Sequence, residues 1–217
     1  MGLLNLGAVN AAPLAAEPFN YILVDQFVQD AGRSAILESF PDMPDAGSFP
    51  LSELKIGPGL QALIQEMDGP EFRTAIEQKF GLDLAGYSTM FTLRGRCDAR
   101  DGRIHTDSKK KIITILLYLN EEWAEAGGRL RLLRSGADLN DALAEVPPNF
   151  GSLLAFKRSD NSWHGHETYV GPRKVLQMNW VLSDKVAAWE QWRHRLSAAV
   201  KRLGRVLSGS QPRAHAA

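Results

Sequence analysis

Two histidines, one aspartate and one arginine in the second half of the chain have the types and spacing needed for iron chemistry. His105 and Asp107 are separated by one residue, and His164 and Arg173 follow further along the chain. In an extended segment residues i and i+2 point to the same face, so an imidazole and a carboxylate stand side by side. A second imidazole completes a set of two histidines and one carboxylate, which suits a non-haem Fe(II) that keeps coordination positions open.

His166 is an alternative source of the second imidazole, because it shares a face with His164 if that segment is extended. The interval of nine residues between His164 and Arg173 favours His164 as the ligand. His166 is then expected to line the pocket or to support a ligand.

Arg173 opens a run of strand-forming residues and is expected to need an anionic partner. A guanidinium offers a planar fork that binds a carboxylate through two hydrogen bonds. By alternation Gln177 and Asn179 share the face of Arg173. Two amides on one inward face indicate either a polar pocket or hydrogen bonds to neighbouring strands.

The elements that must position these residues change in character along the chain. A first third reads mainly as helix, with helices predicted from Asp25 as N-cap to about Phe40, over 59–67 and over 70–80, and with a loop over 41–50. Strand-forming runs occupy 19–24, 87–94, 112–120, 129–133, 152–156 and 174–182. Several strands with turns and no helical pattern between them predict an antiparallel sandwich or barrel.

The chain is expected to form a single domain over 1–217. Within it we distinguish a loose N-terminal arm over 1–16, a helical support region over 17–84, a core over 85–184, a C-terminal amphipathic helix over 185–207 and a tail over 208–217. The C-terminal helix is predicted from apolar residues that recur at steps of three and four.

Composition excludes several classes of protein. A hydrophobic fraction of 44% with 23% charged residues is that of a globular protein. Cys97 is the one cysteine, so neither an intrachain disulfide nor a zinc site built on cysteines is expected, and a cytoplasmic location is favoured. Residues 1–92 carry 12 acidic and 4 basic side chains, whereas 93–217 carry 13 acidic and 21 basic ones, so an anionic ligand is better accommodated in the second half. Neither nucleic acid nor a membrane is indicated as a partner.

The order of these motifs resembles that of the Fe(II)/2-oxoglutarate-dependent oxygenase superfamily, and more closely its prolyl-hydroxylase-like group. That family has a His-x-Asp pair, a distal histidine and a basic residue shortly after it. The run 113–120, followed by Gly127 and Gly128, is similar to its strand-turn-strand core, and so is the run 151–156 before His164. The likeness covers about 87–184.

The resemblance implies a fold that is mainly β with flanking helices, a double-stranded β-helix or jelly roll. It implies Fe(II), 2-oxoglutarate as cosubstrate and O2 as the cofactors. The metal ligands would be His105, Asp107 and His164. Arg173 would bind the far carboxylate of 2-oxoglutarate, with the Tyr118 hydroxyl beside it and Thr114 nearby.

The activity implied is a dioxygenase that hydroxylates an unactivated C–H bond, with a prolyl or other amino-acid-derived substrate preferred, and that releases succinate and CO2. Desaturation and epimerisation are related outcomes that the residues do not separate from hydroxylation. A jelly-roll module that binds or senses oxygen or 2-oxoglutarate without turnover is the alternative.

The substrate class stays open among a small molecule, a peptide and a protein side chain, and the oligomeric state is not indicated. Arg94, Arg96 and Arg103 are candidates to contact an acidic group of the substrate. The run 109–111 of three lysines is expected to form a solvated loop rather than a substrate clamp.

Overall fold

The structure, a computed structural model, describes residues 2–189 and 192. Its helices are α1 (Leu6–Ala11), α2 (Arg33–Glu38), α3 (Pro58–Met67) and α4 (Pro70–Phe80), with short 3-10 turns at Asp30–Gly32 and Leu51–Glu53. Its strands are β1 (Tyr21–Val24), β2 (Phe49–Pro50), β3 (Ser88–Cys97), β4 (Lys111–Tyr118), β5 (Leu130–Leu133), β6 (Ala142–Val146), β7 (Leu153–Lys157), β8 (His164–His166) and β9 (Gly171–Val181).

The strands form two antiparallel sheets that pack against each other. The large sheet has the order β1-β7-β4-β9-β3-β2 and the small sheet has the order β6-β5-β8. Between them lies an apolar cluster to which both sheets contribute, for example Tyr118 and Val175 from the large sheet and Leu130 and Leu132 from the small one. This arrangement confirms the predicted jelly roll with flanking helices.

The large sheet has two faces of different character because its side chains alternate. On β4, Ile113, Ile115 and Leu117 belong to the main core, which α3 and α4 cover. We call this the helix side. The alternate residues Thr114 and Tyr118 point the other way, towards the small sheet, and we call that face the cavity side.

The helices α3 and α4 begin and end close to where the sequence predicts. Pro58 and Pro70 each occupy the first turn, where the missing backbone N–H costs nothing. Gly81 follows α4 with a φ of 62°, the left-handed conformation that ends many helices. Leu63 and Phe72 point from these helices into the main core.

The helix predicted from Asp25 is wrong over its first turns. Its helical part is reduced to the 3-10 turn Asp30–Gly32 and α2. The preceding backbone groups bond to other segments, because Phe27 N donates to Gly151 O and Gln29 N donates to Leu3 O. Gln26 has a φ of 54°, which breaks any helix at that point.

The loose N-terminal arm predicted over 1–16 is also wrong, because this segment is docked on the helices. The Leu3 N–H lies 2.9 and 2.8 Å from the two carboxylate oxygens of Glu66. Asn5 caps α1 by accepting a hydrogen bond from Ala8 N at 3.1 Å, and Val9 is fully buried. A docking site supplied by a distant glutamate leaves no signal in the local sequence.

Three short strands escape the sequence prediction, and one predicted helix falls largely beyond the described part of the chain. The strands β2 and β8 have two and three residues, too few for a clear pattern, and β6 consists mainly of alanine, leucine and glutamate, which do not favour a strand. Residues 184–189 are helical, whereas most of the predicted helix 185–207 and the tail 208–217 lie outside the described residues. Over 2–189, no helix combines the length and apolar character that a bilayer span requires.

Candidate metal centre

Backbone pairing brings the two candidate histidine ligands together. His105 and His164 form an isolated antiparallel bridge, in which each backbone N–H lies 3.0 Å from the other residue's carbonyl oxygen. Their ring centroids are 4.3 Å apart. With Asp107 they offer three ligand atoms within 4.8 Å of one another. The structure therefore assembles the three residues that the sequence spacing selects.

Hydrogen bonds to backbone carbonyls fix the orientation of both imidazoles. His105 Nδ1 lies 2.8 Å from Arg103 O, and His164 Nδ1 lies 2.9 Å from Ser162 O. A carbonyl oxygen only accepts, so each Nδ1 carries the proton and each Nε2 keeps its lone pair for a metal. Burial lowers the pKa of His164 to about 4, although the Asp107 charge works against it. His164 is therefore neutral at physiological pH, as a ligand must be.

Asp107 is held as a carboxylate by two donors. Lys111 Nζ lies 2.7 Å from Oδ1, and Thr114 Oγ1 donates to Oδ2 at 2.5 Å. Burial raises the pKa of the Asp107 carboxyl, but the Lys111 charge and these hydrogen bonds outweigh it and hold the pKa well below its usual range. Each carboxylate oxygen retains lone-pair capacity for a metal ion.

A chain of hydrogen bonds across the cavity side supports this carboxylate. Gln177 Nε2 donates to Asn179 Oδ1 at 3.1 Å, and Asn179 Nδ2 donates to Thr114 Oγ1 at 2.9 Å. The Thr114 hydroxyl in turn donates a hydrogen bond to Asp107. Asn179 is fully buried, so its amide needs such partners. The Thr114 hydroxyl, predicted to lie near the cosubstrate, thus bonds to a candidate metal ligand.

The three candidate ligands line a cavity of about 440 Å³, and Arg173 lines the same cavity. Arg173 is 4% exposed; its Nε donates to Gly128 O at 2.7 Å and its Nη2 to the Tyr118 hydroxyl at 3.3 Å. Burial raises the pKa of the Tyr118 phenol, against the effect of the Arg173 charge, so the phenol stays protonated. Within the described chain no carboxylate lies within 4 Å of the Arg173 guanidinium.

The remaining candidates divide between the cavity and other parts of the surface. His166 lines the cavity but does not belong to the group of three ligand atoms. Arg94 also lines it and pairs with Asp101 at 2.8 Å. Arg96 lines a separate depression. Arg103 is not among the residues that line the cavity and contributes its carbonyl oxygen to His105.

Lys111 is the residue that sequence reasoning placed wrongly. The run 109–111 is predicted to form a solvated loop, and strict alternation along β4 would place Lys111 on the helix side with Ile113. A β-bulge between Lys111 and Ile113 shifts the register of β4 against β9, and the Lys111 side chain, 12% exposed, reaches Asp107. Its spacing of four residues after Asp107 was the available signal.

The jelly-roll fold thus brings three candidate ligands for a single metal ion to one cavity. Residues 87–182 match the family model described as the 2OG-Fe(II) oxygenase superfamily. The matched segment, a little under half of the chain, carries all the candidate site residues.

Solved structures support the same fold at low sequence identity. A prolyl 4-hydroxylase from Pseudomonas putida aligns with a TM-score of 0.51 and 19% identity, covering 83% of this chain and 96% of that one. A prolyl 4-hydroxylase structure from Phytophthora capsici aligns with a TM-score of 0.50 and 21% identity, covering 81% of this chain and 68% of that one. None of the curated proteins matches the chain in sequence.

Fe(II), 2-oxoglutarate and O2 are accordingly the metal, cosubstrate and oxidant of this protein. The residues present fit this set. Two imidazoles and one carboxylate suit Fe(II) and leave coordination positions for other ligands. Arg173 is buried and lines the cavity, and a dicarboxylate supplies an anion that its guanidinium lacks among the described residues.

Proposed function

We propose that the protein is a dioxygenase that hydroxylates an unactivated C–H bond of a prolyl or other amino-acid-derived substrate, with release of succinate and CO2. One observation carries the proposal. The three candidate ligands line one cavity of about 440 Å³ together with the buried Arg173, which has no carboxylate partner among the described residues. A cavity of this volume has the size of a site for small ligands.

In this proposal His105, Asp107 and His164 hold the iron. The two histidines present Nε2 without having to reorient, because Arg103 O and Ser162 O already fix their rings. Asp107 enters as a carboxylate and needs no deprotonation. A preorganised set of this kind lowers the entropic cost of metal binding.

Arg173 and Tyr118 bind the far carboxylate of 2-oxoglutarate. The guanidinium supplies charge and a planar fork, while the Tyr118 phenol, 3.3 Å from Arg173 Nη2, remains protonated and can donate to the same carboxylate. Gly128 O holds Arg173 Nε, so the remaining donors keep a fixed direction.

Bound iron and O2 supply the oxidising power that couples decarboxylation of 2-oxoglutarate to oxidation of the substrate. The chain's own residues bind and orient the cosubstrate and the substrate and enclose them in the cavity. The apolar walls of the cavity, which include Leu116, Leu130 and Val175, exclude water around the reacting carbon.

Anaerobic titration of the purified protein with Fe(II) and then 2-oxoglutarate tests the proposal. A weak visible metal-to-ligand charge-transfer band should form with the wild-type protein, and Arg173→Ala should bind iron but lose the band at the same cosubstrate concentration. Arg96→Ala, which removes an arginine outside the cavity, is the matched control and should behave as the wild type.

Turnover is then measured as succinate release with amino-acid and peptide substrates. Substrate-dependent succinate release together with a product that is heavier by one oxygen atom supports hydroxylation. A band without any substrate-dependent release over the whole panel would instead favour a module that senses 2-oxoglutarate.

A further inference from the structure

More cationic than anionic side chains line the cavity. Arg94, Lys111 and Arg173 line it, whereas Asp107 is the one carboxylate among the described residues that do so. Arg94 has a partner outside the lining, Asp101, at 2.8 Å. The cavity therefore holds more positive than negative charge before any ligand enters.

Loading with iron and cosubstrate does not remove the excess. Fe(II) and the 2-oxoglutarate dianion carry opposite charges of equal size, so their sum is zero. Within the site Arg173 is matched by the far carboxylate, and the charge of Asp107 is directed to the metal. The ammonium of Lys111, 12% exposed and 2.7 Å from Asp107, then shares that one carboxylate with the metal, so one positive charge of the loaded site has no equal negative charge.

We propose that the substrate carries a carboxylate, which Lys111 binds beside the metal. This inference rests on the proposed function and narrows its substrate class to a free acid, as opposed to a residue within a peptide chain, which brings no charge close to the reacting carbon. A carboxylate neutralises the Lys111 ammonium at a point where solvent has little access.

Matched pairs of ligands test the proposal without any mutation. The wild-type protein is loaded anaerobically with Fe(II) and 2-oxoglutarate and titrated with L-proline, L-leucine and L-glutamate, each compared with the primary amide of its α-carboxylate. Binding is followed as a shift of the charge-transfer band and as thermal stabilisation. At least one acid should bind more than tenfold tighter than its amide while the band is retained, which shows that 2-oxoglutarate has not been displaced.

Variants then assign the effect to Lys111. With the charge-transfer band verified at saturating Fe(II) and 2-oxoglutarate, the ratio of acid affinity to amide affinity should fall at least tenfold in Lys111→Met, and Lys111→Arg should restore most of that ratio. Lys109→Met is the matched control, because the Lys109 side chain is 80% exposed and reaches Asp160 at 3.8 Å. Its affinity for both ligands should equal that of the wild type.

The outcomes separate this inference from the proposed function. If no charge-transfer band forms in the wild-type protein, the proposed function fails. If the band forms but amides bind as tightly as acids, or no acid binds at millimolar concentration, the inference is overturned and the function stands. Should Lys111→Met fail to fold, the comparison of acid and amide on the wild-type protein still decides whether the site prefers a carboxylate.

Discussion

The helix side and the cavity side of the large sheet are made by the same strands, but the first is packed with apolar side chains and the second carries hydrogen-bonded polar ones. On β4, Ile113 and Ile115 are fully buried among apolar side chains, whereas Thr114, which lies between them, is buried in a chain of hydrogen bonds. On β9, Met178 packs into the main core and its neighbour Asn179 bonds to Thr114. One strand thus contributes to the core and to the site in alternate positions.

This contrast shows how the protein keeps a polar site rigid. The helix side needs only shape and apolar surface, and it tolerates changes in proportion to the volume lost. The cavity side needs every donor and acceptor to be matched, because an unmatched polar group in a buried position is costly. Changes on the two sides should therefore affect different measurements.

The largest effect is expected from His164→Ala on the cavity side. Removal of one of three ligands should abolish Fe(II) binding at micromolar concentration, measured as bound iron after desalting. His166→Ala is the matched control, two residues away on the same strand, and should retain stoichiometric iron. The reverse pattern would make His166 the ligand.

On the helix side, Ile115→Ala should cost about 2–5 kcal/mol of the free energy of unfolding, because it leaves a void in a fully packed core. Chemical denaturation measures this loss. The iron affinity of the folded protein should stay within about threefold of the wild type, since Ile115 faces away from the cavity. If the folded variant lost much of its iron affinity, the helix side and the cavity side would not be independent of each other.

Thr114→Val should weaken Fe(II) binding by about tenfold to a hundredfold, the usual effect of losing a group that orients a metal ligand. The variant keeps the shape of the side chain but removes the hydrogen bond to Asp107 and one partner of Asn179. Equilibrium dialysis against Mn(II) or Fe(II) gives the affinity. Unchanged binding would mean that Lys111 alone fixes the carboxylate.

The smallest effect is expected from Gln177→Met, at the far end of the same chain of hydrogen bonds. It removes one neutral hydrogen bond to Asn179, worth about 1 kcal/mol in stability. Iron affinity should change by less than about threefold, because Thr114 still bonds to Asp107. An effect as large as that of Thr114→Val would show that the whole chain acts as a unit.

Much of this architecture follows from local patterns in the sequence. The period-two alternation on β4 and β9 predicts which side chains face the cavity. The prolines in the first turns of α3 and α4 indicate where these helices begin. The spacing of His105 and Asp107 predicts their shared face. These features depend on interactions within a few residues, so one sequence suffices to predict them.

The features that the sequence does not predict depend on partners that are far along the chain. Leu3 is held by Glu66, and Phe27 is bonded to Gly151, so the structure of each segment is decided by another. Lys111 reaches Asp107 because a bulge interrupts the alternation of β4, and a bulge has no sequence signal of its own here. The roles assigned to Arg173, Tyr118 and Thr114 remain predictions for the experiments above.

We expect the metal site to be completed late in folding, because His105 and His164 are 59 positions apart in the chain. Helices α3 and α4 need only local contacts, whereas the bridge between the two histidines closes a long loop and joins β8 to the segment before β4. In this order of events, iron binds after the two sheets have packed against each other. Its binding energy adds to the stability of that closure, so removal of iron should raise hydrogen exchange first at the His105 and His164 amides.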